Sequence, residues 1–205
     1  MKSTLTYAFE AFNEYSGWIA WNLFLAFIPL ALSFWLFYRT SRKRSPLWWM
    51  GWIVFMAFLP NAAYLLTDII HLIQAIRAGY SIWITTLVFI PLHLFAILLG
   101  WEAYVVSIIN QSRYLERQGV KKFVSVSELI VHALSAIAIY LGRFIRFNSW
   151  DLVTQPHTIL NVTIDNLTDK KPLLVVVITF FILTVFYWLM KQVTLGIVLQ
   201  IRDRK

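Results

Sequence analysis

Two runs of polar side chains, set at helical intervals in otherwise apolar sequence, are the groups here that could do chemistry. In the first, Asn61, Tyr64, Asp68 and His71 are spaced three, four and three residues apart, so a helix carries them as one stripe. In the second, Glu128, His132, Ser135, Gly142 and Arg146 stay within about 40° of Glu128 on a helix, with Arg143 beside them. Asn148, Trp150, Asp151 and His157 follow directly. Asp68, His71 and His157 can hold or pass a proton, and Arg143 and Arg146 offer forked donors that match phosphate or carboxylate. Glu128 and His132, four apart, can touch across one turn. They predict an intramembrane pair, either mutually satisfied or one step of a proton path. Asp68 and His71 are also two metal ligands on one face, with Asn61, Asp151 or His157 as further candidates. Two ligands do not make a site, so neither a metal nor another cofactor is expected. The chain has no Cys, which excludes thiolate metal sites and Cys nucleophiles. It also lacks a phosphate-binding glycine loop, H-E-x-x-H and G-x-S-x-G.

The elements that position these groups follow from composition. Hydrophobic residues make up 60% of the 205 and charged residues 14%, against about 45–50% and about 25% in soluble domains. A soluble fold so apolar could not cover itself with polar groups, whereas lipid needs no such cover. Segments near the 20 or so residues that span a bilayer occur at 18–38, 47–70, 82–109, 123–143 and 173–201. The expected fold is therefore all-α: one multi-pass membrane domain over residues 1–205, an integral bundle of five transmembrane helices. The first three carry Pro29, Pro60 and Pro91, each a potential kink. No cleavable signal peptide is expected.

The basic residues orient the bundle. Arg39, Arg42, Lys43, Arg44, Arg113, Arg117, Lys121, Lys122, Lys191, Arg202, Arg204 and Lys205 fall on one side of a five-span arrangement, twelve against six on the other. The richer side is expected to be cytoplasmic, which puts the N-terminus outside and the C-terminus inside the plasma membrane. The net charge of +8 is then a topology and lipid-headgroup signal rather than a sign of nucleic acid. Leu5, Ala8, Phe9, Phe12 and Tyr15 share a face and predict a short interfacial helix. The outer loop 147–172 contains the alternating run TILNVTID, which hints at a short strand, and two glycosylation-type sequons at Asn161 and Asn166.

The segments LPNAAYLLTDIIHL (59–72) and LGRFIRFNSWDL (141–152), with NLFLAFIPL (22–30), resemble a bacterial family of uncharacterised membrane proteins, domain of unknown function 1361. The resemblance runs from about residue 20 to 200. It implies a multi-pass bacterial membrane protein and no particular reaction. It maps its motif residues onto Pro60, Asn61, Asp68, Arg143, Asn148, Trp150 and Asp151.

Three functions fit. The polar cluster at the outer end binds or passes a small polar or anionic ligand or lipid headgroup, with Arg143 and Arg146 holding the anion. Alternatively, the protein is a membrane-embedded enzyme acting on a lipid-linked or extracytoplasmic substrate, with Asp68, His71 or His157 as acid or base. Thirdly, it is a structural subunit of a membrane complex, its polar cluster locking helices together or docking a partner, with ion pairs such as Asp68 with Arg143 or Arg146 tying the helix ends. Membrane lipids are the expected partners. Five spans are few for a transport path, so that version requires a homo-oligomer or a larger membrane complex.

Overall fold

Backbone groups in lipid find no water and must bond within the chain, which helices do locally. In the computed structural model, which describes residues 4–38 and 44–204, every regular element is helical and no strand occurs among the described residues. The helices are α1 (Thr4–Phe37), α2 (Pro46–Tyr64), α3 (Ile69–Arg77), α4 (Ile82–Ile84), α5 (Ile90–Arg117), α6 (Val124–Tyr140), α7 (Asp151–Thr154), α8 (Pro156–Thr168) and α9 (Lys170–Asp203). Joined by tighter or wider helical turns, they give five stretches long and apolar enough to cross a membrane: Ser16–Phe37, Pro46–Gln74, Ile82–Arg117, Lys121–Ile145 and Lys170–Asp203. This is a multi-pass membrane protein. Large apolar side chains such as Phe95, Phe181 and Trp188 face outward, where lipid replaces water.

Local sequence explains the irregular turns. α2 starts where the Ser45 hydroxyl accepts the Trp48 N–H at 3.2 Å and Pro46 occupies the first turn, where its missing N–H costs nothing. After Pro60 the second span tightens into a 3-10 turn, Leu65–Asp68, before α3. A π-turn, Thr85–Phe89, ends two residues before Pro91, and the wider turn relieves the crowding that a proline ring imposes one turn back. α1 packs on α2 and α5, and α6 packs on α2 and α9. Gly100 of α5 lets the second span come close: a Cβ there would lie 2.1 Å from Leu65 Cδ1.

Three expectations change. Residues 4–17 do not form a separate interfacial helix; they continue α1 without a break, since no proline or glycine pair interrupts the helical run. The side chains of Leu5, Ala8 and Tyr15, like Arg39, Arg42 and Lys43 of the first basic loop, lie outside the described residues. The run TILNVTID is not a strand but part of α8. Pro156 starts that helix, and Thr163 and Asn166 bond back to the carbonyls of Ile159 and Val162 at 2.7 and 2.8 Å. The third span does not end at Ile109 but runs to Arg117, because Tyr114 and Gln111 bury themselves against neighbouring helices.

Candidate functional site

The second and fourth spans meet at the end of the bundle formed by the start of span one and the ends of spans two and four. Arg143 lies in a π-turn, Leu141–Ile145, that closes the fourth span. Its Nη2 donates to Asp68 Oδ1 at 2.9 Å and to the Thr67 hydroxyl, and its Nη1 lies 3.0 Å from His71 Nε2. A guanidinium has no acceptor, so His71 Nε2 accepts. The imidazole is then neutral with its proton on Nδ1, which donates to Gln74 Oε1 at 3.2 Å. The guanidinium also stacks on Tyr64, 4.3 Å from the ring centre, a cation–π contact worth about 0.5–2 kcal/mol. Trp18 of α1 meets His71 edge-on at 4.4 Å. Asp68 is only 2% exposed.

Beside this network is a cavity of about 350 Å³, whose walls include Trp18, Trp21, Asn22, Asn61, Tyr64, Gly142, Arg146, Asn148 and Ser149. Trp18 and Tyr64 belong to both, so the ion network holds two walls of the cavity in place. Asn61 Nδ2 donates to Ser149 Oγ at 2.8 Å and to the Phe58 carbonyl at 3.1 Å, tying the second span to the loop after the fourth. Asp151 caps that loop by accepting the Asn148 N–H at 2.7 Å. Ile159 of α8 reaches the cavity, and Tyr140 Oη donates to Asn166 Oδ1 at 2.9 Å to hold α8 against α6.

Two polar groups of the cavity are unspent. Asn22 Nδ2 is buried with no hydrogen-bond partner. Arg146 has φ 67° and ψ 31°, the left-handed region, and among the described residues it is the one non-glycine with positive φ. That conformation costs an L-residue roughly 1–2 kcal/mol. No carboxylate pairs with it among the described residues.

The predicted residues therefore divide. Asn61, Arg146 and Asn148 line the cavity; Asp68, His71 and Arg143 form the network behind it. Trp150 and Asp151 shape the loop. His157 is exposed on α8, outside the lining. Trp18 and Asn22 join the site only in the structure, although Trp18, Trp21, Asn22 and Leu25 recur at helical spacing on one face of α1.

Glu128 and His132 share a face but bond elsewhere. Glu128 Oε1 accepts from Ser112 at 2.7 Å, Tyr187 at 2.8 Å and Lys191 at 2.6 Å. His132 Nδ1 lies 2.9 Å from Tyr104 Oη, which donates to Ser135 at 3.2 Å. The spacing along α6 made the two look like partners, but α9 brings a lysine to the carboxylate.

Fold and site together define a five-span helical membrane protein with a polar cavity at one end of its bundle. The chain belongs to the family described as protein of unknown function (DUF1361), whose profile matches residues 21–185. That stretch contains every residue lining the cavity except Trp18. No curated protein and no solved structure matches the chain.

Proposed function

We propose that the protein binds an anionic group, the phosphate of a lipid headgroup or a free anion of the same chemistry, in the cavity beside Arg146. The observation that carries this reading is the contrast between two arginines three residues apart. Arg143 is spent on Asp68, Thr67 and His71; Arg146 faces the cavity in a costly backbone conformation, and among the described residues no carboxylate pairs with it. Strain of this kind persists where surrounding structure enforces it and is common at ligand sites. The unpartnered Asn22 amide supplies a second donor, and Trp18 and Trp21 supply the amphipathic walls that suit the headgroup region. The charge distribution supports an extracytoplasmic position for this cavity in the plasma membrane.

Binding is favoured over acid–base catalysis because the two histidines invoked for it are not in the cavity. His71 is engaged by Arg143 and Gln74, and His157 lies outside the lining. The test is thermal unfolding of the purified full chain in detergent, titrated with phosphatidylglycerol, phosphatidylcholine and inorganic phosphate. A ligand that binds only the folded state raises the melting temperature. Phosphatidylglycerol is expected to stabilise the parent protein more than phosphatidylcholine does, and Arg146→Ala to reduce that difference. Stabilisation by inorganic phosphate alone would identify a free anion. Equal responses of parent and variant would refute the reading.

A further inference from the structure

At the opposite end of the bundle, where α1 ends and α2 begins, lies a second cavity of about 220 Å³ with Arg44, Trp48, Trp49, Gln111, Tyr114 and Ser127 in its walls. Arg44 Nε donates to Tyr114 Oη at 3.1 Å. Its guanidinium carbon lies 4.9, 5.7 and 5.6 Å from the ring centres of Trp48, Trp49 and Tyr114. The aromatic rings thus fix the position of the fork, yet among the described residues no carboxylate pairs with it. Gln111 is 9% exposed. Its Nε2 donates to Ser127 Oγ at 3.0 Å, and its Oε1 is buried without a partner. The indole of Trp48 cannot supply the missing donor, because its Nε1 already donates to the Leu36 carbonyl at 3.1 Å. An unmet buried acceptor is unfavourable, and a cavity of this size exceeds the roughly 30 Å³ of one water molecule. It is also below the roughly 300–1,000 Å³ that encloses a drug-sized ligand, so it suits a headgroup rather than a whole amphiphile.

We propose that this cavity is a second, separate site for a phosphodiester headgroup that carries its own N–H or O–H donor, as ethanolamine and glycerol headgroups do. The phosphate meets the free Nη groups of Arg44, the pairing for which a guanidinium is shaped. The donor of the headgroup meets Gln111 Oε1. The choline headgroup has the phosphate and the positive charge but no N–H or O–H, so it leaves Gln111 unmet. The proposal does not depend on Arg146.

The test compares phosphatidylethanolamine, phosphatidylglycerol, phosphatidylcholine and water-soluble glycerophosphoethanolamine as additives to the full chain in detergent, read as melting temperature. Phosphatidylethanolamine is expected to exceed phosphatidylcholine by at least roughly 2–4 °C, the shift that about 1 kcal/mol produces in a chain of this size. That excess should vanish in Arg44→Ala and in Gln111→Leu and persist in Arg146→Ala. Should Arg44→Ala fail to fold, Arg44→Lys, which keeps the charge and loses the fork, and Gln111→Leu carry the test. Reproduction of the excess by glycerophosphoethanolamine would keep the site and make its natural ligand a soluble phosphodiester. Equal effects of the ethanolamine and choline lipids on the parent protein, or an excess that survives both the position-44 and position-111 variants, would overturn the proposal.

Discussion

Arg143 and Asp68, 75 residues apart in sequence, meet at 2.9 Å with the carboxylate 2% exposed. This contact joins the end of the fourth span to the end of the second. It commits Arg143 to the ion pair rather than to a ligand, the two uses the sequence left open, and leaves Arg146 as the cation facing the cavity. Replacing Asp68 therefore removes a structural partner and leaves a largely buried guanidinium uncompensated.

Asp68→Ala is expected to destabilise the fold by about 3–5 kcal/mol, the usual cost of stripping one partner from a buried ion pair. Asp68→Asn, which can still accept a hydrogen bond, should cost less. Thermal unfolding in detergent measures both. A loss below about 1 kcal/mol for the alanine variant would show that the pair contributes little.

Arg146→Gly is expected to be at least as stable as the parent protein. Glycine adopts the left-handed conformation without the roughly 1–2 kcal/mol that an L-residue incurs, which offsets its greater freedom in the unfolded chain. A clear fall in melting temperature would mean that the arginine side chain stabilises the fold and is not held for a ligand.

Glu128 and Lys191 are expected to be energetically coupled. A double-mutant cycle with Glu128→Gln and Lys191→Met should give a coupling of about 0.5–3 kcal/mol, because their 2.6 Å contact joins α6 to α9. Full additivity would assign the hold on α9 to its apolar contacts, Leu183 among them.

Gly100→Ala is expected to cost about 1–3 kcal/mol through overpacking, since the new Cβ would lie 2.1 Å from Leu65 Cδ1 and 2.9 Å from Leu65 Cβ. Adding Leu65→Ala should recover part of that loss. Failure of the second change to help would place the strain in the backbone approach rather than in the leucine side chain.

The spans were legible in sequence because lipid makes hydropathy nearly sufficient to find a helix. Their ends were less so. The third span outruns its apolar core because Gln111 and Tyr114 are buried by neighbours that periodicity along one helix does not reveal. The stripe Asn61, Tyr64, Asp68 and His71 was legible as one face, and that face does meet the fourth span. Which arginine it captures was not, since Arg143 lies within a π-turn and Arg146 is the left-handed residue that ends it, and no local pattern announces either. Lys191, which follows the most apolar run, counts in sequence only as one of the cytoplasmic-side charges; the placement of α9 against α6 brings it to Glu128. The alternation of TILNVTID suggested a strand, but a helix start at Pro156 and the lack of a pairing strand among the described residues decide for α8.

The proposed hold of Arg146 on an anionic headgroup is read out by native mass spectrometry of the full chain released from phosphatidylglycerol-containing micelles. Arg146→Ala is expected to lose one bound anionic lipid relative to the parent protein, while Arg44→Ala still fills the Arg146 site. Identical lipid occupancy in the parent and Arg146→Ala proteins would contradict it.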